Sequence, residues 1–391
     1  MNTRPITIAI GLLFAQALFP HTASAHHRSG NVAIMGGSWA LTGKLVNAGR
    51  GYNEARNLYL EQLNARGGLL GHKVEIKIFD DKSDRRTSIE IYEKLITENA
   101  VDILLGPLGS GIADAAANVM ERYKRPFIAL GAVSPTIFQR GRKYVFRPMS
   151  VVSHDYQKGA LILAKQAGVS RIAVIGAETP FTRQVTTGAV KWAEKLGLEV
   201  VLMQNYRSVD TNFTGLIKKV GESGAEALFL NGLYLDSVRQ IQQIEKQGIK
   251  LKVISSALGT ATPEFIDDLG PLAERVLGFS QWQPDPEQGF SGVRDFIESY
   301  KKKYDGLPTY RAARAYAAMQ ILEAATIRAG SFDPQKLRDA LASITVDTVM
   351  GTWKVDATGF MSTEPTIIQI QKGKRVLVWP AHTAQAPFLP L

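Results

Sequence analysis

The chain has 391 residues, 45% of them hydrophobic, no cysteine and a formal net charge of +10. A chain of this length buries ample surface and ordinarily divides into two domains, while the lack of cysteine excludes disulfides and cysteine-ligated metal sites. The positive charge does not point to nucleic acid, because Lys and Arg are spread along amphipathic helices beside Glu and Asp; the only compact basic run, Lys301, Lys302 and Lys303, reads as a solvated helix face. A basic surface can still favour anionic ligands through its overall field.

Residues 1–25 read as an export signal. Arg4 gives a basic start, residues 6–19 an apolar core, and Ala23, Ser24 and Ala25 small residues for cleavage before His26. The core is shorter than the roughly 20 residues that span a bilayer, so a soluble periplasmic protein is expected, without a lipid anchor because no cysteine follows the signal.

The first folded unit runs from a short apolar strand at residues 32–35 through a loop of Gly36, Gly37, Ser38, Trp39, Ala40, Leu41, Thr42 and Gly43 into a helix. Gly67 and Gly68 supply the positive φ that a helix C-terminus needs. The alternating run at 73–79 is a strand that stops at Asp80 and Asp81. Strands at 101–105, 126–130 and 145–148 follow, with a helix over 112–123 between the first two. A second series begins with a helix over 156–167 and continues with strands at 172–175, 199–203, 227–230 and 253–255, separated by helices over 186–196, 213–223 and 237–247. Fully apolar strands separated by helices imply parallel sheets covered on both faces. The predicted fold class is α/β with two doubly wound parallel-sheet lobes. The later helices, over 289–304, 312–329 and 334–343, have no strands of their own and must cover sheets already formed. A hairpin-like pair at 367–371 and 376–379 closes the fold, and residues 387–391 read as a tail.

No catalytic constellation emerges. Residues 37–44 imitate a phosphate loop, but five residues rather than four separate Gly37 from Gly43 and Lys44, and Leu45 replaces the Ser or Thr that binds magnesium. The glycine-rich run at 106–111 lacks the dinucleotide spacing. His26 and His27 sit together at the new terminus, whereas His72, His154 and His382 are scattered without metal-ligand spacing. No enzyme activity, cofactor or metal is therefore expected.

Several phrases occur in one order: LTG, a helix, then Asn64 to Gly71, a strand and Asp80-Asp81; Asp102 to Ser110; Ser134-Pro135-Thr136; Asp210-Thr211-Asn212-Phe213; and Val346 to Gly359 around Trp353. Together they resemble the periplasmic leucine/isoleucine/valine-binding proteins, the type I solute-binding receptors of ATP-driven importers. The resemblance implies three crossings between lobes, near Arg147, near 278–283 and near 358–362. Lobe 1 is then 26–147 plus 280–358, and lobe 2 is 148–279 plus 359–391. It also implies a small-molecule ligand, an ABC permease as partner, no nucleic acid, and a monomer. A periplasmic sensor subunit on the same fold is the alternative output.

Ligand loops are expected at the carboxyl ends of the strands. Ser110 and Gly111 open a helix whose free N–H groups suit a carboxylate, although Ser110 also reads as a helix cap. By resemblance, Ser110, Ala132 and Ser134 would hold the ligand's carboxylate. The α-ammonium partner of leucine-type receptors has no counterpart at Ala257, in the loop 255–259. The lid position is Phe181, another aromatic position falls at Leu233 beside Tyr234, and Ala48 replaces an aromatic while Trp39 appears opposite. A cysteine pair frequent in the family would fall at Ser83 and Gly109. The expected ligand is a small carboxylate with an apolar or aromatic body, unless Glu178, Asp210 or Asp236 holds an ammonium from a shifted position.

Overall fold

The computed structural model describes residues 31–98 and 101–391, so the export segment and the pair His26 and His27 lie outside the described residues. The chain starts with β1 (Val32–Trp39), α1 (Val46–Ala65), β2 (Lys73–Asp80), α2 (Arg85–Thr97), β3 (Ile103–Leu105), α3 (Ser110–Tyr123), β4 (Phe127–Ile128) and β5 (Val145–Phe146). These strands form one all-parallel sheet of order β2-β1-β3-β4-β5.

The second series comprises α4 (Lys158–Gln166), β6 (Arg171–Ala177), α5 (Pro180–Lys195), β7 (Glu199–Tyr206), α6 (Thr214–Glu222), β8 (Ala227–Asn231), α7 (Tyr234–Lys246), β9 (Val253–Ser256), α8 (Pro263–Leu269) and β10 (Leu277–Ser280). Its parallel strands run β7-β6-β8-β9-β10, which repeats the order of the first sheet. In each sheet the order reverses beside its first strand, and such a switch point opens a crevice at the carboxyl ends of the strands.

The chain then returns to the first sheet. Helices α9 (Val293–Tyr304), α10 (Tyr310–Ala329) and α11 (Pro334–Ser343) follow, then the small hairpin of β11 (Val346–Thr348) and β12 (Gly351–Trp353). Helix α10 lies along α1, and the two share one apolar cluster with Met35, Leu105 and Ile128. Close approach is possible because the contact is made of small residues: a Cβ added to Gly51 would stand 3.7 Å from the Ala312 Cβ. Finally β13 (Thr366–Gln371) joins β10 antiparallel, and β14 (Lys374–Trp379) pairs with β13.

Four expectations change. Gly36 to Trp39 belong to strand rather than loop, because β1 pairs with β2 along its whole length. The glycines there serve close approach, since a Cβ on Gly37 would fall 2.5 Å from the Leu105 carbonyl oxygen. Helix α2 was not foreseen, although Asp84 caps it by accepting from the Thr87 N–H at 2.9 Å and Tyr92 and Leu95 bury one face. Helices α5 and α7 start earlier than their apolar periodicity suggests. In α5 the Thr179 hydroxyl accepts from the Thr182 N–H, and the Thr182 hydroxyl accepts from the Thr179 N–H, both at 3.1 Å, ahead of Pro180. The terminal segment is docked rather than a free tail: the Leu391 N–H donates to the Lys252 carbonyl at 2.9 Å and the Leu389 N–H to Gln369 Oε1 at 3.0 Å.

Among the described residues no helix is long and apolar enough to cross a membrane.

Candidate functional site

The loops at the carboxyl ends of β1, β2, β3 and β4 face those of β6, β8 and β9 across a recess, with α10 as a further wall. The recess has a volume of about 170 Å³. From the first sheet come Leu45, Ala48 and Tyr52, then Arg85, then Leu108 to Ile112, then Val133; from the second come Thr179, Pro180, Phe181, Leu233 and Leu258. Tyr156 completes the floor, and α10 contributes Tyr310, Arg311 and Arg314.

The α3 end of the recess is built by backbone geometry. Gly109 takes φ +95°, a conformation that favours glycine, and its N–H donates to the Gly131 carbonyl at 3.0 Å. This turn aims the first N–H groups of α3 at the cavity, where the helix itself cannot satisfy them and its dipole favours an anion. Ser110 Oγ accepts from the N–H groups of Val133 and Ser134, each at 3.3 Å. Its hydroxyl hydrogen is therefore free to donate to a ligand.

Aromatic rings form the walls. Phe181 meets Tyr156 edge-on at 5.3 Å between centroids, Tyr156 stacks on Phe279 at 3.6 Å, and Phe279 meets Tyr310 at 5.9 Å. Tyr52 is in edge contact with Trp39 at 5.2 Å.

The electrostatics have one sign. The lining holds Lys44, Arg85, Arg311 and Arg314 and no carboxylate. Arg314 is 3% exposed. Its Nη1 donates to the Tyr52 hydroxyl at 2.9 Å, while Nε and Nη2 make no hydrogen bond of ordinary geometry, although the Tyr156 hydroxyl stands close to the guanidinium. Burial opposes the Arg314 charge, but the surrounding phenols of Tyr52, Tyr156 and Tyr310 outweigh it and hold its pKa above the ordinary value. Burial likewise raises the phenols of Tyr52 and Tyr156.

Of the residues singled out in sequence, Ser110, Gly111 and Phe181 line this recess. Tyr234 lines an adjoining, larger cleft of about 550 Å³, where its hydroxyl donates to Asp268. Trp39, Ala132, Ser134 and Ala257 are buried and stand outside both linings. Trp39 lies behind Tyr52, and Ser134 shares a 2.9 Å hydrogen bond with Thr136. Of the candidate ammonium partners, Asp210 and Asp236 line the adjoining cleft and Glu178 lines neither, and all three already have partners. Asp236 accepts from the Tyr206 hydroxyl at 3.0 Å and the Leu233 N–H at 3.1 Å, Asp210 pairs with Arg207 at 2.9 Å, and Glu178 stands 4.0 Å from Arg183. The residues that sequence reasoning missed are Tyr52, Tyr156, Tyr310, Arg311 and Arg314. The available signal was two arginines set three apart among alanines in α10, a position for buried side chains rather than solvated ones.

The raised phenols give a pH prediction. Unfolded tyrosine ionises near pH 10, whereas Tyr316 is pushed up to about 12 by burial, with Tyr52, Tyr59, Tyr92 and Tyr156 also raised. Above pH 10 the unfolded chain binds fewer protons than the native one, so stability falls as pH rises. In an alkaline titration the buried phenolate absorbance is expected to appear together with loss of the near-ultraviolet dichroism. Gradual ionisation centred on pH 10 with the fold intact would contradict this.

Residues 35–375 match the family model described as periplasmic binding protein. Among curated proteins the chain is similar to Leu/Ile/Val-binding protein homolog 7 of Brucella suis, 27% identical over an alignment of 409 positions that covers 98% of each chain. Among solved structures it is similar to a leucine binding protein, LivK, of Thermotoga maritima, with TM-score 0.81, 22% identity, and 88% and 97% of the two chains covered. It is also similar to a solute binding protein of an ABC transporter from R. palustris in complex with benzoate, with TM-score 0.78, 18% identity, and 88% and 95% covered. At these identities the structural likeness concerns the two-lobed α/β fold alone.

Proposed function

We propose, from the fact that this chain belongs to the periplasmic binding protein family, that it is the substrate-binding protein of an ATP-driven importer and captures a small carboxylate with an apolar or aromatic body. The observation that carries this reading is the one-signed lining: four basic residues, no acid, and aromatic walls. A buried ammonium needs an anionic partner, and the recess offers none, whereas the α3 N-terminus and Ser110 suit a carboxylate. The benzoate bound to the R. palustris protein belongs to this chemical class.

The mechanism is hinge closure. Ligand settles on the loops of one lobe, contacts the other, and thereby stabilises the closed arrangement, which is presented to a membrane permease. The lobes are residues 26–147 plus 280–358 and residues 148–279 plus 359–391, joined by three crossings. Residues 1–25 direct export to the periplasm and are cleaved. The protein works as a monomer without catalysis.

A thermal-shift screen of amino acids, aliphatic acids and aromatic acids tests the reading, because a ligand that binds the native state raises the melting temperature by mass action. Carboxylic acids without an amino group are expected to stabilise. Stabilisation by free leucine, isoleucine or valine alone overturns the proposal. Ser110→Ala and Phe181→Ala are each expected to weaken the best hit about tenfold, the loss of one charge-assisted hydrogen bond or one aromatic contact. Unchanged binding in both removes this recess as the site.

A further inference from the structure

The α10 end of the recess poses a separate question. Arg311 and Arg314 lie one turn apart on the same helix, 7% and 3% exposed, and among the described residues neither enters an ion pair. Both flank the Tyr310 ring, at 5.4 Å and 5.6 Å from guanidinium carbon to centroid. Two buried guanidiniums without a counter-charge are costly to a fold, and Arg314 keeps two buried nitrogens without a hydrogen bond of ordinary geometry. At neutral pH the tyrosines supply no negative charge, because burial holds the Tyr52 and Tyr156 phenols in their protonated form. A different element, the α3 N-terminus with Ser110, supplies an independent set of donors to the same recess.

We infer that the ligand is a dicarboxylate: one carboxylate on Ser110 and the α3 N-terminus, an apolar spacer between the aromatic walls, and the second carboxylate on Arg314 and Arg311. The fork of Arg314, with Nε and Nη2 both lacking a hydrogen bond of ordinary geometry, suits two-pronged recognition of a carboxylate. This inference rests on the carboxylate reading above and sharpens it.

The test is calorimetric titration of the mature protein with matched pairs, benzoate against 1,4-benzenedicarboxylate and hexanoate against hexanedioate, with leucine as a further arm. In at least one pair the diacid is expected to bind about 30-fold tighter or more, as one charge-assisted pair of hydrogen bonds supplies. Arg314→Gln is expected to bring the two affinities of that pair together, and Arg314→Lys to restore part of the difference. If the monoacids bind as tightly as the diacids, or if the preference survives Arg314→Gln, the dicarboxylate inference falls while the carboxylate reading stands. If no acid of either kind binds and leucine does, both fall. Should Arg314→Gln fail to fold, the preference measured on the unmodified protein still decides between these outcomes.

Discussion

Arg147→Met is expected to cost about 3 kcal/mol of folding stability, seen as a lower denaturant midpoint at unchanged slope. Arg147 is fully buried. Its Nη1 donates to the Met361 carbonyl at 2.6 Å, and Nη2 donates to Val133 O at 3.1 Å, Ser150 Oγ at 3.1 Å and Val151 O at 2.6 Å. The guanidinium also stands 4.6 Å from the centroid of Phe360. One side chain thus ties a ligand-side loop of the first sheet to two segments that run between the sheets. Methionine fills similar space but donates nothing.

Two effects compete in that substitution. Removing the cation relieves a desolvation cost large enough to bring its pKa down to about 9, and such a cost amounts to several kcal/mol per buried ion. Against this, carbonyl oxygens of Val133, Met361 and Val151 lose their donor, at about 1–3 kcal/mol for each buried group left unsatisfied. Val151 O retains only a bond from Ser150 Oγ at 3.2 Å. With three acceptors set against one ion, the loss wins. At neutral pH both folded and unfolded chains carry this proton, so the effect is independent of pH there. A variant as stable as the parent would show that the cation's burial cost dominates.

The second large effect concerns binding. Gly111→Val is expected to weaken the ligand about 50-fold while leaving the melting temperature of the unliganded protein nearly unchanged. A Cβ at Gly111 would stand 3.2 Å from Arg85 Nε and 3.3 Å from Pro180 Cγ, and valine extends two methyls further. Pro180 begins a helix of the second sheet, so this contact exists only when the lobes face each other closely. The flexible Arg85 side chain can give way in either arrangement, but overfilling the Pro180 contact costs about 1–3 kcal/mol, and that part of the penalty, confined to the closed arrangement, reduces apparent affinity by the fraction of closed protein lost. Titration of the best ligand against both proteins checks this. Affinity within threefold of the parent would mean that closure does not bring Gly111 and Pro180 together.

Much of the fold was legible because its signals are local. Apolar runs, Gly67 and Gly68 at the end of α1, and the ordered phrases carried the alternation of strand and helix and the family resemblance. The strand glycines misled, since Gly36 and Gly37 look like loop residues until the carbonyl of Leu105 is seen against them. At the site, Ser110, Gly111 and Phe181 were legible because they follow strands, where crevices form in doubly wound sheets. Arg311 and Arg314 were not. Their role depends on α10 returning from late in the chain to stand beside α1, and no local pattern encodes that return.

Helix α10 also separates two kinds of requirement. Its alanines, from Ala312 to Ala325, press against the first lobe and tolerate little change of size, whereas Tyr310, Arg311 and Arg314 line the recess. Exchange of the two arginines changes the charge of the recess while the alanine contact with α1 stays in place. Within a family that keeps one backbone for many nutrients, this surface is an economical place for selection to redirect uptake, and the first place to graft a new preference by design.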